Sequence, residues 1–301
     1  MATPQAVFHR TLLRVARDSI LACAVLCLAI AGPAHGQGQF DTLRQDVRTP
    51  NPGDPSPPAS PSGDPYASSK PDLLSNFDDD AKSTMFLGTL CLGGIALSSP
   101  LWGPYALAGD DFSTSRWFAP FPYDNVPGYM TMEGLEHSRP WSCQLSADYA
   151  TGLGDLDSTG GHLLLSTASR FGADTSARYL RERLPGDRQD SLWLGDGNLV
   201  FCFARNEQMQ WRTGLGLNWL DDRQQTDFGF NFTYGFDWFP RKPWVASTEI
   251  DWGTLGRSGL FHFRGTVGVL VNRFEAYTGY EYYDFDRVHS NSLIGGVRLW
   301  F

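Results

Sequence analysis

Lysine is nearly missing from the chain: Lys70, Lys82 and Lys242 are the three in 301 residues. No arginine stripe replaces them and acidic residues outnumber basic ones, so no surface suited to a run of phosphates is present and no nucleic-acid partner is expected. Long apolar runs are missing too. The two longest, residues 20–31 and 85–97, are 12 and 13 residues, whereas an α-helix needs roughly 20 to cross a bilayer. Cysteine is sparse and unpatterned. Beyond the first 36 residues only Cys91, Cys143 and Cys202 occur, with no CxxC and no histidine at ligand spacing, which leaves room for one disulfide and gives no zinc motif. GxSxG, a phosphate-binding loop and HExxH are all absent, so no enzyme, cofactor or metal site is expected.

What is present begins with an export signal. Arg10, Arg14 and Arg17 precede the apolar run 20–31, and Ala34, His35 and Gly36 place small residues before Gln37. Residues 1–36 therefore read as a cleaved secretory signal peptide. The remainder carries 21 basic and 32 acidic residues. Residues 37–81 read as a disordered linker, because eight prolines fall within residues 50–71 among Ser, Gly and Asp, where neither a sheet nor a core can form. Asp78, Asp79 and Asp80 follow, without the spacing or glycine of a calcium loop. Residues 82–140 read as a short apolar helix or hairpin at 85–97, then an irregular segment rich in proline and aromatics.

From residue 141 to 301 the period changes to two. The stretch DFGFNFTYGFDWF, 227–239, puts Phe228, Phe230, Phe232, Tyr234, Phe236 and Trp238 on one face, and Asp227, Gly229, Asn231, Thr233, Gly235 and Asp237 on the other. That alternation is a strand. Similar stretches at 142–150, 161–171, 192–204, 209–220, 244–255, 259–271, 274–285 and 292–301 are separated by short polar breaks, and 177–184 is either a tenth strand or part of a long loop. The fold class is therefore all-β: an up-and-down antiparallel transmembrane β-barrel of 8 to 10 strands. At about 3.3 Å per residue, thirteen residues tilted near 40° rise about 33 Å, which exceeds an apolar band of about 25 Å.

The two faces define candidate sites. Trp211, Trp238 and Trp244 lie beside the tight breaks at 205–208 and 240–243, while Trp219, Trp252, Tyr280 and Tyr282 lie towards the opposite strand ends. These seven are the expected membrane-interface girdles. On the other face Arg212, Asn218, Asn231, Asp237, Glu249, Asp251, His262, Arg264, Glu275, Glu281 and Arg298 are expected to form a polar network inside the barrel, since an unpaired ion in a narrow interior is costly. A barrel of this size is filled by side chains and has no wide channel.

At the carboxyl terminus Leu293, Gly295, Val297, Leu299 and Phe301 alternate up to a terminal aromatic. This resembles the terminal signature of bacterial outer-membrane β-barrel proteins. The resemblance implies an outer-membrane location, lipid as the surrounding partner, and Leu293, Val297, Leu299 and Phe301 as the signal read by the barrel-assembly machinery. The role expected is structural or surface-interacting, with any ligand unspecified.

Two other readings remain. A lipid-modifying barrel needs an outward-opening site, and of His137, His162, His262 and His289 the candidates are His289, on a loop with Ser290, Asn291 and Ser292, and His262, beside Arg264 on an inward face. A secreted soluble barrel that binds an apolar ligand inverts both faces, making Arg212 and Glu249 wet and the row from Phe228 to Trp238 dry.

Overall fold

The computed structural model describes residues 38–49, 103–110, 116–131, 137–152, 156–185, 188–222 and 224–301. The signal peptide, the Pro-rich stretch, Asp78 to Asp80, the run 85–97 and Cys91 lie outside the described residues. Ten strands, numbered here after two short ones that precede them, close into one antiparallel barrel: β3 (Trp141–Gly152), β4 (Leu156–Thr167), β5 (Phe171–Leu184), β6 (Arg188–Arg205), β7 (Met209–Asp221), β8 (Thr226–Arg241), β9 (Trp244–Leu255), β10 (Ser258–Val271), β11 (Phe274–Phe285) and β12 (Val288–Trp300). Each strand pairs with its chain neighbours and β12 closes on β3, Val297 opposite Ala147. No sheet edge is left open, which removes the row of unpaired backbone groups that an open sheet exposes.

The strand count settles at ten because the stretch after residue 171 is a strand. The segmentation differs from the sequence reading at β4 and β5: the strand read at 161–171 is instead Leu156–Thr167, a turn follows at 168–170, and 177–184 is the second half of β5. Arg170 makes that turn at φ 73°. The outward row of β5 runs Phe171, Ala173, Thr175, Ala177, Tyr179 and Arg181; its small and polar members blur the period-two signal that marks β8.

In β8 the alternation is realised in full. Phe228 and Phe230 are 62% and 50% exposed while Asn231 and Asp237 on the opposite face are 0% and 1%. The whole barrel repeats this polarity: Leu199, Leu215, Leu217, Trp252, Val267, Phe274 and Val297 face outward and are exposed, whereas charged and amide side chains are buried inside.

Three described segments precede the barrel. Helix α1 (Gln39–Arg48) lies in one mouth, at the ends of β5, β6 and β7 and against the turns 256–257 and 286–287. This corrects the disordered reading of residues 37–81 over the helix. Phe40, Leu43 and Val47 form a single apolar stripe at helical spacing, all 3% exposed or less. Three apolar residues in a helix of ten are too few to announce it in isolation, and tertiary packing stabilises it. A ladder of β1 (Trp117–Phe118) with β2 (Met130–Thr131) and the turns between them lie at the opposite mouth, against Phe239, Val245, Leu270 and Trp300. A helical segment at 103–108 packs Ala108 beside Phe203 and Trp211 on that same rim.

Candidate functional site

The candidate site is the barrel interior, in three layers. The first is the mouth that α1 fills. Its apolar stripe meets Leu156, Leu180, Leu192, Leu220, Leu255, Leu260, Phe285 and Val288, contributed by eight strands. The helix amino terminus is held by one carboxylate: Gln39 and Phe40 donate their backbone N–H groups to Glu182 at 2.6 and 3.0 Å, where negative charge is favoured by the helix dipole. Along its polar face Arg44 forks to Asp190 at 2.5 Å and Asp222 at 2.7 Å, Arg48 reaches Asp227 at 2.8 Å, and Arg287 closes on Asp46. The hydrogen bond to Asp190 leads the causes that raise the Arg44 guanidinium further above its ordinary value. Burial opposes ionisation of Asp222, but Arg48, the backbone N–H groups of Gln224 and Gln225, and Arg44 hold its carboxyl well below the usual range.

The middle layer is polar and densely bonded. Arg178 meets Asp148 at 2.8 Å and Glu281 at 3.1 Å, and Arg264 meets Asp148 at 2.5 Å. Tyr277 donates its hydroxyl to Asp148 at 3.0 Å. His262 is engaged through both ring nitrogens, Nδ1 with Asp251 at 2.7 Å and Nε2 with Glu281 at 3.3 Å. His162 Nε2 lies 2.5 Å from Asp174. Asn218, Asn231 and Asn198 form an amide chain, with Asn231 donating to Asn198 at 3.0 Å and to Asp251 at 3.2 Å.

Nearer the C-terminal rim, Arg212 binds Asp237 at 2.7 Å and Glu249 at 3.1 Å, and Arg298 binds Glu275 at 3.2 Å. Trp300 donates its indole N–H to Glu275 at 2.8 Å. Below this the second mouth is filled by Tyr123, Tyr129 and Met130 with Phe239 and Trp300. The Tyr129 ring stands edge-on to Trp300 at 5.0 Å, and the Tyr123 hydroxyl, pushed up to about 12 by burial, donates to the backbone oxygen of Trp244. At this rim Asp110 accepts two hydrogen bonds from the Arg170 guanidinium. Cys143 and Cys202 are free thiols.

The eleven residues assigned to the interior network thus all point inward. All eleven make a side-chain hydrogen bond or ion pair to another of the set: Arg212 with Asp237 and Glu249, Asn218 with Asn231, Asp251 with Asn231 and His262, Glu281 with His262 and Arg264, and Arg298 with Glu275 supply these. Sequence reasoning did not single out the inward faces of β3 to β6, and so missed Asp148, His162, Asp174, Arg178 and Asp196. Nor did it place Glu182 and Asp190 at the plugged mouth. The signal for them was the same alternation, weaker because many of their neighbours in sequence are small, Ala173 and Thr175 about Asp174 and Gly195 and Gly197 about Asp196.

The seven proposed girdle residues all face outward, in two groups at opposite strand ends. Trp252 is 69% exposed, whereas Trp211 is 7% exposed, stacked on Phe236 at 4.5 Å beneath the 103–110 segment. Phe171 with Phe201 and Tyr179 with Trp193 extend the two rows around the barrel. Leu293, Val297, Leu299 and Phe301 lie on the outward face of the closing strand, and Phe301 exchanges backbone hydrogen bonds with Cys143. Of the histidines weighed for chemistry, His289 is exposed and lies 3.0 Å from Asp284, whereas His262 is enclosed as described.

No family model matches the chain, and no curated protein sequence matches it significantly. Among solved structures, it is similar to the beta domain of the Bordetella autotransporter BrkA (11% identity over 53% of this chain and 98% of that one, TM-score 0.33). It is also similar to the NanC porin (9%, 52% and 98%, TM-score 0.34) and to Ail, the attachment invasion locus protein of Yersinia pestis (14%, 54% and 96%, TM-score 0.27).

Proposed function

We propose that the chain is an integral outer-membrane β-barrel with a closed lumen, serving a structural or surface-interaction role. The observation that carries this is the inverted polarity of the barrel. Its outer surface is lined with apolar side chains, Leu199, Leu215, Leu217, Phe228 and Val271 each more than half exposed, whereas a soluble monomer rarely exposes contiguous apolar patches above a few hundred Å². Its interior holds ion pairs instead of an apolar cavity, which is the reverse of what a soluble carrier of an apolar ligand needs. Lipid satisfies the first condition, and complete backbone pairing by closure satisfies the second requirement of a bilayer, that no N–H or C=O be left bare.

Within this reading residues 1–36 direct export, the Trp and Tyr rows sit at the two lipid headgroup levels, and the barrel-assembly machinery recognises the β12 face that ends in Phe301. Both mouths are covered, by α1 and by residues 116–131, which favours a scaffold or surface role over solute passage. Fractionation tests it. The reading expects recovery of the full chain with the membrane after a salt and carbonate wash, extraction only by detergent, and a heat-modifiable band on gels. Quantitative recovery in the washed soluble fraction would sink it.

A further inference from the structure

Between the two plugs the inward faces carry eight carboxylates against four guanidiniums and two imidazoles. Even counting both imidazoles as cations, carboxylates outnumber cationic side chains by two, in an interior where an uncompensated ion is costly. The excess is concentrated at mid-height, where Asp174, Asp196, Glu249 and Asp251 converge. Asp196 has no ion pair among the described residues: Ser176 and Asn198 donate to it, and no guanidinium reaches it. Arg212, the cation closest to Glu249, is already shared with Asp237.

Two sets of ligand atoms stand in this layer, His162 with Asp174 and Glu249, and His262 with Asp251 and Glu249, each lying within 4.8 Å of one another. In the second, His262 is tied outside the set, its Nε2 to Glu281, as well as within it, its Nδ1 to Asp251. No such outside tie holds His162 of the first among the described residues. His162 Nε2 lies 2.5 Å from Asp174 and 3.8 Å from Glu249. Asp174 is 2% exposed, and its Oδ2 accepts no hydrogen bond, with Arg212 Nε at 3.5 Å. His162 and Glu249 also line a polar cavity of about 20 Å³ with Gln144, Ser247 and Thr266, so about one water has room to complete a coordination shell.

We propose that the barrel interior is a divalent metal site in which His162, Asp174 and Glu249 bind a zinc-class cation. One imidazole and two carboxylates suit a borderline cation with bonds of about 2.0–2.2 Å and a fourth position for water. Binding displaces the proton between His162 and Asp174, draws Glu249 away from Arg212, which keeps Asp237, and so adds one net positive charge where carboxylates are in excess. Spacing along the chain hides the set, since its members come from β4, β5 and β9. The site does not depend on where the barrel resides, so its failure leaves the membrane reading standing, and failure of fractionation leaves the site standing.

The test uses the full chain, folded in detergent, stripped with chelator and titrated with ZnCl2 alone. The expected result is one equivalent of Zn2+ retained per folded chain by mass spectrometry after gel filtration, with affinity falling at least tenfold in His162→Gln and in Glu249→Gln while the heat-modifiable band persists. His289→Ala, which alters an exposed histidine, should bind as the wild type does. A wild-type measurement covers the case in which both variants misfold: Co2+ added to the stripped protein should give the intense visible bands of a low-symmetry nitrogen and oxygen site. Retention of no Zn2+ by the folded wild type, binding unchanged in both folded variants, or a Co2+ spectrum identical to the hydrated ion would each overturn the proposal.

Discussion

At the scale of single residues the interior is built from ions that depend on one another. Glu275, 1% exposed, is held by Arg298 and by the indole of Trp300. Arg298→Ala leaves that carboxylate buried beside a single neutral donor, a change of the kind that costs about 3–5 kcal/mol. The urea midpoint of the refolded protein should fall accordingly, and the double change Arg298→Met with Glu275→Gln should recover most of the loss because no bare charge remains. Space is as constrained as charge. A Cβ at Gly235 would stand 2.5 Å from the Arg212 Cζ, so Gly235→Ala should displace the guanidinium from Asp237 and lower stability, whereas Gly295→Ala, which meets nothing within 4 Å, should be silent in the same unfolding experiment.

At the scale of elements, α1 is a plug held by apolar burial and by carboxylates. Since the Asp222 pKa is depressed in the folded protein, its contribution is fully present above the ordinary carboxylate value of about 3.9 and fades as pH falls below it towards the folded value. Amide exchange across residues 40–48, corrected for the intrinsic rate, should therefore hold steady relative to the barrel strands down to about pH 4 and accelerate from there to about pH 2, and Asp222→Asn should flatten that dependence. The elements also differ in how plainly the sequence announced them. Strand β8 was legible because outward-facing aromatics and buried polar groups alternate over thirteen residues, a pattern that only a two-sided strand explains. Strand β5 was not, since Ala173, Thr175 and Ala177 on its outer face carry little contrast with Asp174 and Ser176. Helix α1 and the 116–131 plug were illegible for another reason. Their stability is written in distant partners, Glu182 for the helix and Glu207, Trp244 and Trp300 for the plug, and no local period records those contacts. The interior chemistry was legible as a face and not as pairs, because alternation says which way Arg212 points without saying that Asp237 awaits it.

At the scale of the whole molecule, a ten-stranded barrel with an ion-paired middle and both mouths filled should not conduct. Planar-bilayer recordings of the refolded chain should show no stable nanosiemens-scale steps, and deleting residues 38–49 should not create them, because the middle layer closes the lumen by itself. The two mouths also bear on topology. Ten strands return a chain to the side from which it entered, and Trp141 and Trp300 do share one rim. Helix α1 sits on the other rim, against the turns 256–257 and 286–287, so Gly38 and Phe301 lie at opposite mouths of the barrel. Small epitope tags placed before Gly38 and after Phe301 should consequently report from opposite compartments, one reached by antibody on intact cells and the other only after the envelope is opened.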